Sequence, residues 1–229
     1  MAQDTKHWFN QGETLWDYRR KASKWHFDPD ITNEPTEMLK FNFIQFKGDW
    51  QSELAQTKFT ERPPMDLAEH IQRLGIQEHI NLGVDTRIEG LRATVDPTIH
   101  KKINKIVETF QLEDPTAHII FQKPGEMFTL HIDVLASANL WQLEEANKDE
   151  TNIRVLVALE DWCWGQYLLM GNCNWTNWKA GDTVWFRWQD LPHATANCGH
   201  KPRPMLKITG KTTPEFKKIL EQDNVIFDV

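Results

Sequence analysis

The sequence predicts a mainly β fold with flanking helices, built on a jelly roll. Three observations lead there. From about His118 onward, short apolar or alternating runs recur at roughly ten-residue spacing, separated by Gly, Asn, Asp and Pro. Ahead of them the periodicity is helical, and a last helical run follows them. The chain has 229 residues, long enough for one domain with a large core and short for two. Eight short strands at this spacing form a sandwich or barrel, and two four-stranded sheets are the natural arrangement.

The elements follow in order. Met38 to Phe46 alternates with a period near two, predicts a strand, and ends at the turn signal Gly48-Asp49. In Asp66 to Leu74, Leu67, Ile71 and Leu74 share one helical face. A second helix runs from about Pro97 to Phe110, started by Asp96-Pro97 and striped by Ile99, Ile103, Ile106 and Val107. The eight strand signals are His118 to Phe121, Met127 to Asp133, Asn152 to Leu159, Tyr167 to Met170, Asn174 to Trp178, Thr183 to Trp188, His193 to Asn197 and Arg203 to Thr209. Ala136 to Glu150 interrupts the rhythm as helix or loop, and Pro214 to Gln222 is the closing helix. A soft boundary near residue 115 separates an N-terminal helical and mixed extension, 1–115, from a strand-rich core with a C-terminal helix, 116–229.

Composition narrows the function classes. The net charge is -7, and no basic stripe of the kind that tracks a duplex is visible, so nucleic acid is not an expected partner. The three cysteines, Cys163, Cys173 and Cys198, are odd in number and form no CxxC pair. A disulfide framework or thiolate zinc site is therefore not expected, and a reduced, cytoplasmic setting fits best. Met1 to Arg20 lacks an apolar signal region, and no run approaches the roughly 18 apolar residues of a membrane span, so no membrane partner is expected. Most of the 11 tryptophans are expected in the core.

The chemistry-bearing feature is Leu130-His131-Ile132-Asp133. On a strand, residues i and i+2 share a face, so His131 and Asp133 project together. A third ligand from a neighbouring strand completes a facial triad and leaves cis positions open, the arrangement associated with non-haem iron(II). HxD alone is weak. The chain contains a second, His26-Phe27-Asp28, in an irregular stretch that reads as a loop or capped turn. Context separates them. Lys123-Pro124-Gly125 makes a turn ahead of His131; Ala180-Gly181-Asp182 turns into the apolar run Thr183-Val184-Trp185-Phe186; His193 follows, and then Arg203 opens the last strand.

With these elements in this order, the segment from about His118 to Gly210 resembles the double-stranded β-helix core of the iron(II)- and 2-oxoglutarate-dependent oxygenases, in the branch that includes prolyl hydroxylases. The resemblance implies that His131, Asp133 and His193 bind iron(II), and that 2-oxoglutarate and dioxygen are the cosubstrates. His200, in a Gly-His-Lys-Pro turn, is the rival of His193 and reads as exposed. Arg203 sits where the family keeps its basic residue for the far carboxylate of 2-oxoglutarate, a task that suits a planar guanidinium fork. Lys207, on the same strand face, is the fallback. The family often has a hydroxyl two residues after this Arg; Met205 stands there, and Thr129 is a candidate replacement. Gln122 occupies the place of a Tyr that often reaches the cosubstrate. Trp185 either packs in the barrel or lines the pocket. Arg154, a charge in an apolar run, either meets an acid of the substrate or faces solvent.

The activity implied is hydroxylation of an unactivated C–H bond of an amino-acid side chain, peptidyl or free, with release of succinate and CO2. Halogenating relatives lack the ligand carboxylate, and Asp133 argues against that chemistry. The alternatives are a cupin-type metalloprotein, which needs no Arg203, and a non-enzymatic jelly-roll binding or structural module, which leaves His131, Asp133, His193 and Arg203 unexplained together.

Overall fold

Each of the eight runs of the strand-rich half forms a strand. The computed structural model describes residues 38–61, 91–94, 100–131, 152–171, 173–188, 191–222 and 225–229, with backbone alone at 61, 91–94 and 129–131. The expected helix at 66–74, His26-Phe27-Asp28, Asp133 and the insert 136–150 lie outside the described residues.

The strands are β1 Leu39–Lys47, β2 Thr60–Glu61, β3 Leu91–Thr94, β4 Glu113–Gln122, β5 Met127–His131, β6 Asn152–Ala158, β7 Gln166–Met170, β8 Cys173–Trp175, β9 Asp182–Phe186, β10 His193–Asn197, β11 Arg203–Lys211 and β12 Val225–Asp228. The helices are α1 Gln51–Gln56, α2 Lys101–Thr109 and α3 Pro214–Leu220. Thr213 caps α3, its hydroxyl accepting from Phe216 N at 3.1 Å, and Pro214 stands in the first turn where its missing N–H costs nothing.

One sheet has the order β12-β1-β9-β6-β11-β4-β3-β2; the other has β5-β10-β7-β8. Within the larger sheet, β9-β6-β11-β4 are antiparallel neighbours. They stand opposite the smaller sheet, and the chain passes repeatedly from one sheet to the other between β4 and β11. This is a double-stranded β-helix, the jelly roll the strand spacing predicts. β1 extends one edge by pairing antiparallel with β9, and β12 joins it in parallel. β3 and β2 extend the other edge.

Two apolar layers result, and strand alternation assigns each residue to one of them. The inner layer lies between the sheets and includes Leu156, Ala158, Val184, Phe186 and Met205 from the larger sheet and Leu168, Met170 and Trp175 from the smaller. The outer layer takes the alternate residues of the larger sheet, among them Val155, Val157, Trp185, Leu206 and Ile208. Ile103, Ile106 and Phe110 around α2 and Phe216 and Ile219 of α3 cover that layer. Each such side chain contributes about 1.5–3 kcal/mol when buried, so the larger sheet needs these helices as much as it needs the second sheet.

Two turns seen in the sequence are held by their glycines. Gly181 has φ +90°, a Cβ there would collide with the Phe46 carbonyl, and its N–H donates to Ala158 O at 2.7 Å. Gly125, φ +84°, donates its N–H to Asn197 O at 2.7 Å, which clamps the Pro-Gly turn to the end of β10. Among the described residues no helix is long and apolar enough to cross a membrane.

Candidate active site

The inner face of β10 carries polar residues. His193, Thr195 and Asn197 alternate with Ala194 and Ala196, and the polar set is the one that points between the sheets. The His193 ring meets Phe186 of the inner layer edge to face, with centroids 5.1 Å apart and planes at 68°. Its side chain is buried, and Nδ1 lies 2.9 Å from the Leu191 carbonyl, to which it donates. That hydrogen bond fixes the tautomer and leaves the lone pair on Nε2, the form a metal requires. Burial pushes the imidazole pKa down to about 3; the Leu191 hydrogen bond opposes this, and the nearby Arg154 and Lys207 charges add to it. The ring is therefore neutral at pH 7. His200, in contrast, is exposed.

His193 is the register partner of His131 across the β5–β10 ladder. The two histidines thus stand on one rung of the smaller sheet, where β5 ends and β10 begins. The side chains of His131 and Thr129 are outside the described residues, as is Asp133. Among the described residues no three His, Cys, Asp or Glu side chains gather into a metal-binding group.

Two strand positions further along β10, a second polar group begins. Gln122 ends β4, Arg203 opens β11, and they are register partners. Gln122 Nε2 donates to Thr195 Oγ1 at 3.2 Å, and Asn197 Nδ2 holds the Gln122 carbonyl at 3.0 Å. Arg203 Nη1 reaches the Tyr167 carbonyl at 3.4 Å. Arg203 is 5% exposed and Gln122 2%. Arg203 Nε and Gln122 Oε1 are buried without a hydrogen-bond partner among the described residues. Burial pushes the guanidinium pKa down to about 9, so it stays protonated at pH 7. A buried, charged, partly unsatisfied guanidinium is costly in isolation and well suited to an incoming carboxylate.

Other expected residues fall as follows. Met205 lies in the inner layer between the two polar groups and supplies no hydroxyl. Thr195 and Gln122 meet there, and the sequence reading missed Thr195; the alternation His193-Ala194-Thr195 was the signal for it. Trp185 is corrected. It belongs to the helix-covered outer layer, while its neighbours Val184 and Phe186 point inward, so strand alternation turns its indole away from the pocket. Arg154 shares a face with Leu156 and Ala158 and points inward, with its guanidinium 4.8 Å above the Trp188 ring.

No family model matches this chain, and no curated protein matches it by sequence. Among solved structures it is similar to a prolyl-4-hydroxylase of Pseudomonas putida, with 17% identity and TM-score 0.40 over 71% of this chain and 97% of that one. It is also similar to the viral collagen prolyl hydroxylase of Paramecium Bursaria Chlorella virus-1 in its 2OG complex, with 13% identity and TM-score 0.42 over 68% and 96%. A third is a predicted oxalate decarboxylase of Thermotoga maritima, with 12% identity and TM-score 0.32 over 53% and 79%. Every one of these scores is below 0.5, so the reading of the site rests on the chain's own residues.

Proposed function

We propose that the chain is an iron(II)- and 2-oxoglutarate-dependent dioxygenase that hydroxylates an unactivated C–H bond of an amino-acid side chain. The observation that supports this best is the sequence of groups along the inner face. A buried neutral His193 is in register with His131, and beyond it come Thr195, Gln122 and a buried cationic Arg203. A cupin-type site has no use for that cation.

The residues fit the groups they are assigned. His131, Asp133 and His193 would hold the iron: at His193 the imidazole is neutral and Nδ1 is the donor to the Leu191 carbonyl, which puts the lone pair on Nε2. Arg203 would hold the far carboxylate of 2-oxoglutarate, and its orphaned Nε is the donor that such a group satisfies. Gln122 Nε2 donates to Thr195, and its Oε1, an acceptor, does not suit a carboxylate. When bound, iron and 2-oxoglutarate activate dioxygen, one oxygen atom entering the substrate as hydroxyl and the other entering succinate, with CO2 released. Phe186, Met205 and Leu168 exclude water from the space beside His193. A reducing compartment such as the cytoplasm, expected from the odd number of cysteines, belongs to this reading.

Succinate formation from 2-oxoglutarate by the iron(II)-loaded protein tests the activity. A cupin-type metalloprotein or a non-enzymatic module gives none.

A further inference from the structure

The outer face of the smaller sheet is apolar as well as open. Strand alternation sends His193, Thr195 and Leu168 inward and leaves Ala194 and Ala196 of β10 and Tyr167 and Leu169 of β7 on the outer face. One rung of that face runs Met127, Ala196, Tyr167 across β5, β10 and β7, and the next pairs Ala194 with Leu169. An antiparallel sheet whose outer face meets water ordinarily carries polar residues there. Here β7 and β10 put no charged side chain on it. Met127 is 40% exposed and Tyr167 39%, with the buried Ala196 as the floor between them.

Trp164, 82% exposed, stands just past the end of β7, three residues before Tyr167. Its turn is held. Gln166 N donates to Cys163 O at 3.1 Å, and Cys198 N donates to Gly165 O at 2.8 Å, which extends the β7–β10 ladder. Gln166 Nε2 donates to Lys201 O at 2.9 Å. Trp162 props the Trp164 ring, with centroids 5.0 Å apart, and its own indole N–H donates to the Gln166 carbonyl at 2.7 Å. A ring on a held turn loses little freedom when it is covered. Met127, Trp164 and Tyr167 are three of the four exposed large hydrophobics among the described residues, and all three lie at this end of the smaller sheet. Exposed apolar side chains scattered singly are ordinary, whereas a cluster of them marks an interaction surface. Trp, Tyr and Met are also the types that protein interfaces favour.

Charge chooses the occupant. The chain carries -7, so two copies repel unless the surfaces that meet are locally balanced. Around this patch the signs are mixed. Asp161 pairs with Lys179 at 3.6 Å, the Lys201 charge reaches Glu160, and Glu126 accepts the Lys123 backbone N–H at 2.6 Å. A rim that holds both signs can meet its own image across a two-fold axis, carboxylate against ammonium. A strongly acidic or strongly basic partner finds no matching field here.

We propose that the chain forms a two-fold dimer through the outer face of the smaller sheet, with Met127, Trp164 and Tyr167 of each copy at its centre. This does not depend on the dioxygenase reading.

Sedimentation velocity of the full chain, from low micromolar up to about 100 μM, reads the association. A species of twice the 26.9 kDa chain mass should dominate at the upper concentration. Trp164→Ser and Tyr167→Ser should each weaken the association by on the order of 30-fold or more, as central aromatic anchors do. Their far-UV circular dichroism should match the parent, because neither side chain is buried within one copy. Ile226→Ser alters the fourth exposed side chain, on β12 at the edge of the larger sheet, and should leave the association as it is. A monomer or a higher oligomer at the upper concentration overturns the proposal, and so does a dimer that Trp164→Ser or Tyr167→Ser keeps at the parent's strength.

Discussion

Arg203 and Gln122 face each other as register partners at one end of the barrel interior, each with a buried polar atom that has no hydrogen-bond partner among the described residues. The guanidinium Nε and the amide Oε1 are thus kept in a dry place at a cost to the fold. A site of this kind trades stability for binding, and the trade can be measured from both sides.

Arg203→Met removes the buried charge while keeping a side chain of apolar volume. The ligand-free protein should be as stable as the parent or more so, because burial of a charge opposes folding. The same change should raise the KM for 2-oxoglutarate by about 100-fold, the loss of a charge-assisted pair worth about 3 kcal/mol. Thermal melts and 2-oxoglutarate kinetics on one preparation check both signs. A destabilised variant with normal KM contradicts the assignment.

Thr195→Val removes the acceptor of the Gln122 Nε2 hydrogen bond. Its effect should be milder, about 5- to 30-fold on the 2-oxoglutarate KM, since one buried hydrogen bond of about 1–2 kcal/mol is broken. Iron(II) affinity should be unchanged, which equilibrium titration reads directly.

The acid stability of the metal-free protein should carry the mark of His193. Its folded pKa is about 3 against an ordinary 6.5. Above pH 6.5 both folded and unfolded forms are neutral and the group contributes no slope. Below that, the unfolded chain takes up a proton that the folded one refuses, so stability falls as pH drops toward 3. At pH 5 the loss is about 2 kcal/mol. Urea denaturation at pH 7 and pH 5 should show it, and His193→Gln should flatten the difference.

Trp185→Leu tests the two-layer description. The indole belongs to the helix-covered layer with Val155 and Phe216, so the substitution should cost about 2–3 kcal/mol of stability. The 2-oxoglutarate KM should not move. A large change in KM with unaltered stability would return Trp185 to the pocket.

Strands are easier to read from this sequence than the faces they present. The eight core strands were legible because turn residues punctuate them, as Gly125 and Gly181 do with positive φ. Register followed less readily. β9 is buried on both faces, so Val184, Trp185 and Phe186 form one apolar run and period two is erased. Nothing in that run says which ring turns inward. β10 inverts the usual rule, with its polar residues facing the interior, so its pattern alone does not single out Thr195. Arg154 poses the same problem in β6, where a lone charge reads equally as solvated or inward until Leu156 and Ala158 fix the face. His193 and Arg203 are picked out in the sequence by the family resemblance rather than by face, and both are buried in the structure.

The central claim is tested most directly by anaerobic titration of the protein with iron(II) and 2-oxoglutarate, followed by visible absorption. The account predicts a weak charge-transfer band that saturates with 2-oxoglutarate, is lost in Asp133→Ala together with iron affinity, and needs far more cosubstrate in Arg203→Met. Absence of the band in the unaltered protein, or a band indifferent to Asp133 and Arg203, contradicts it.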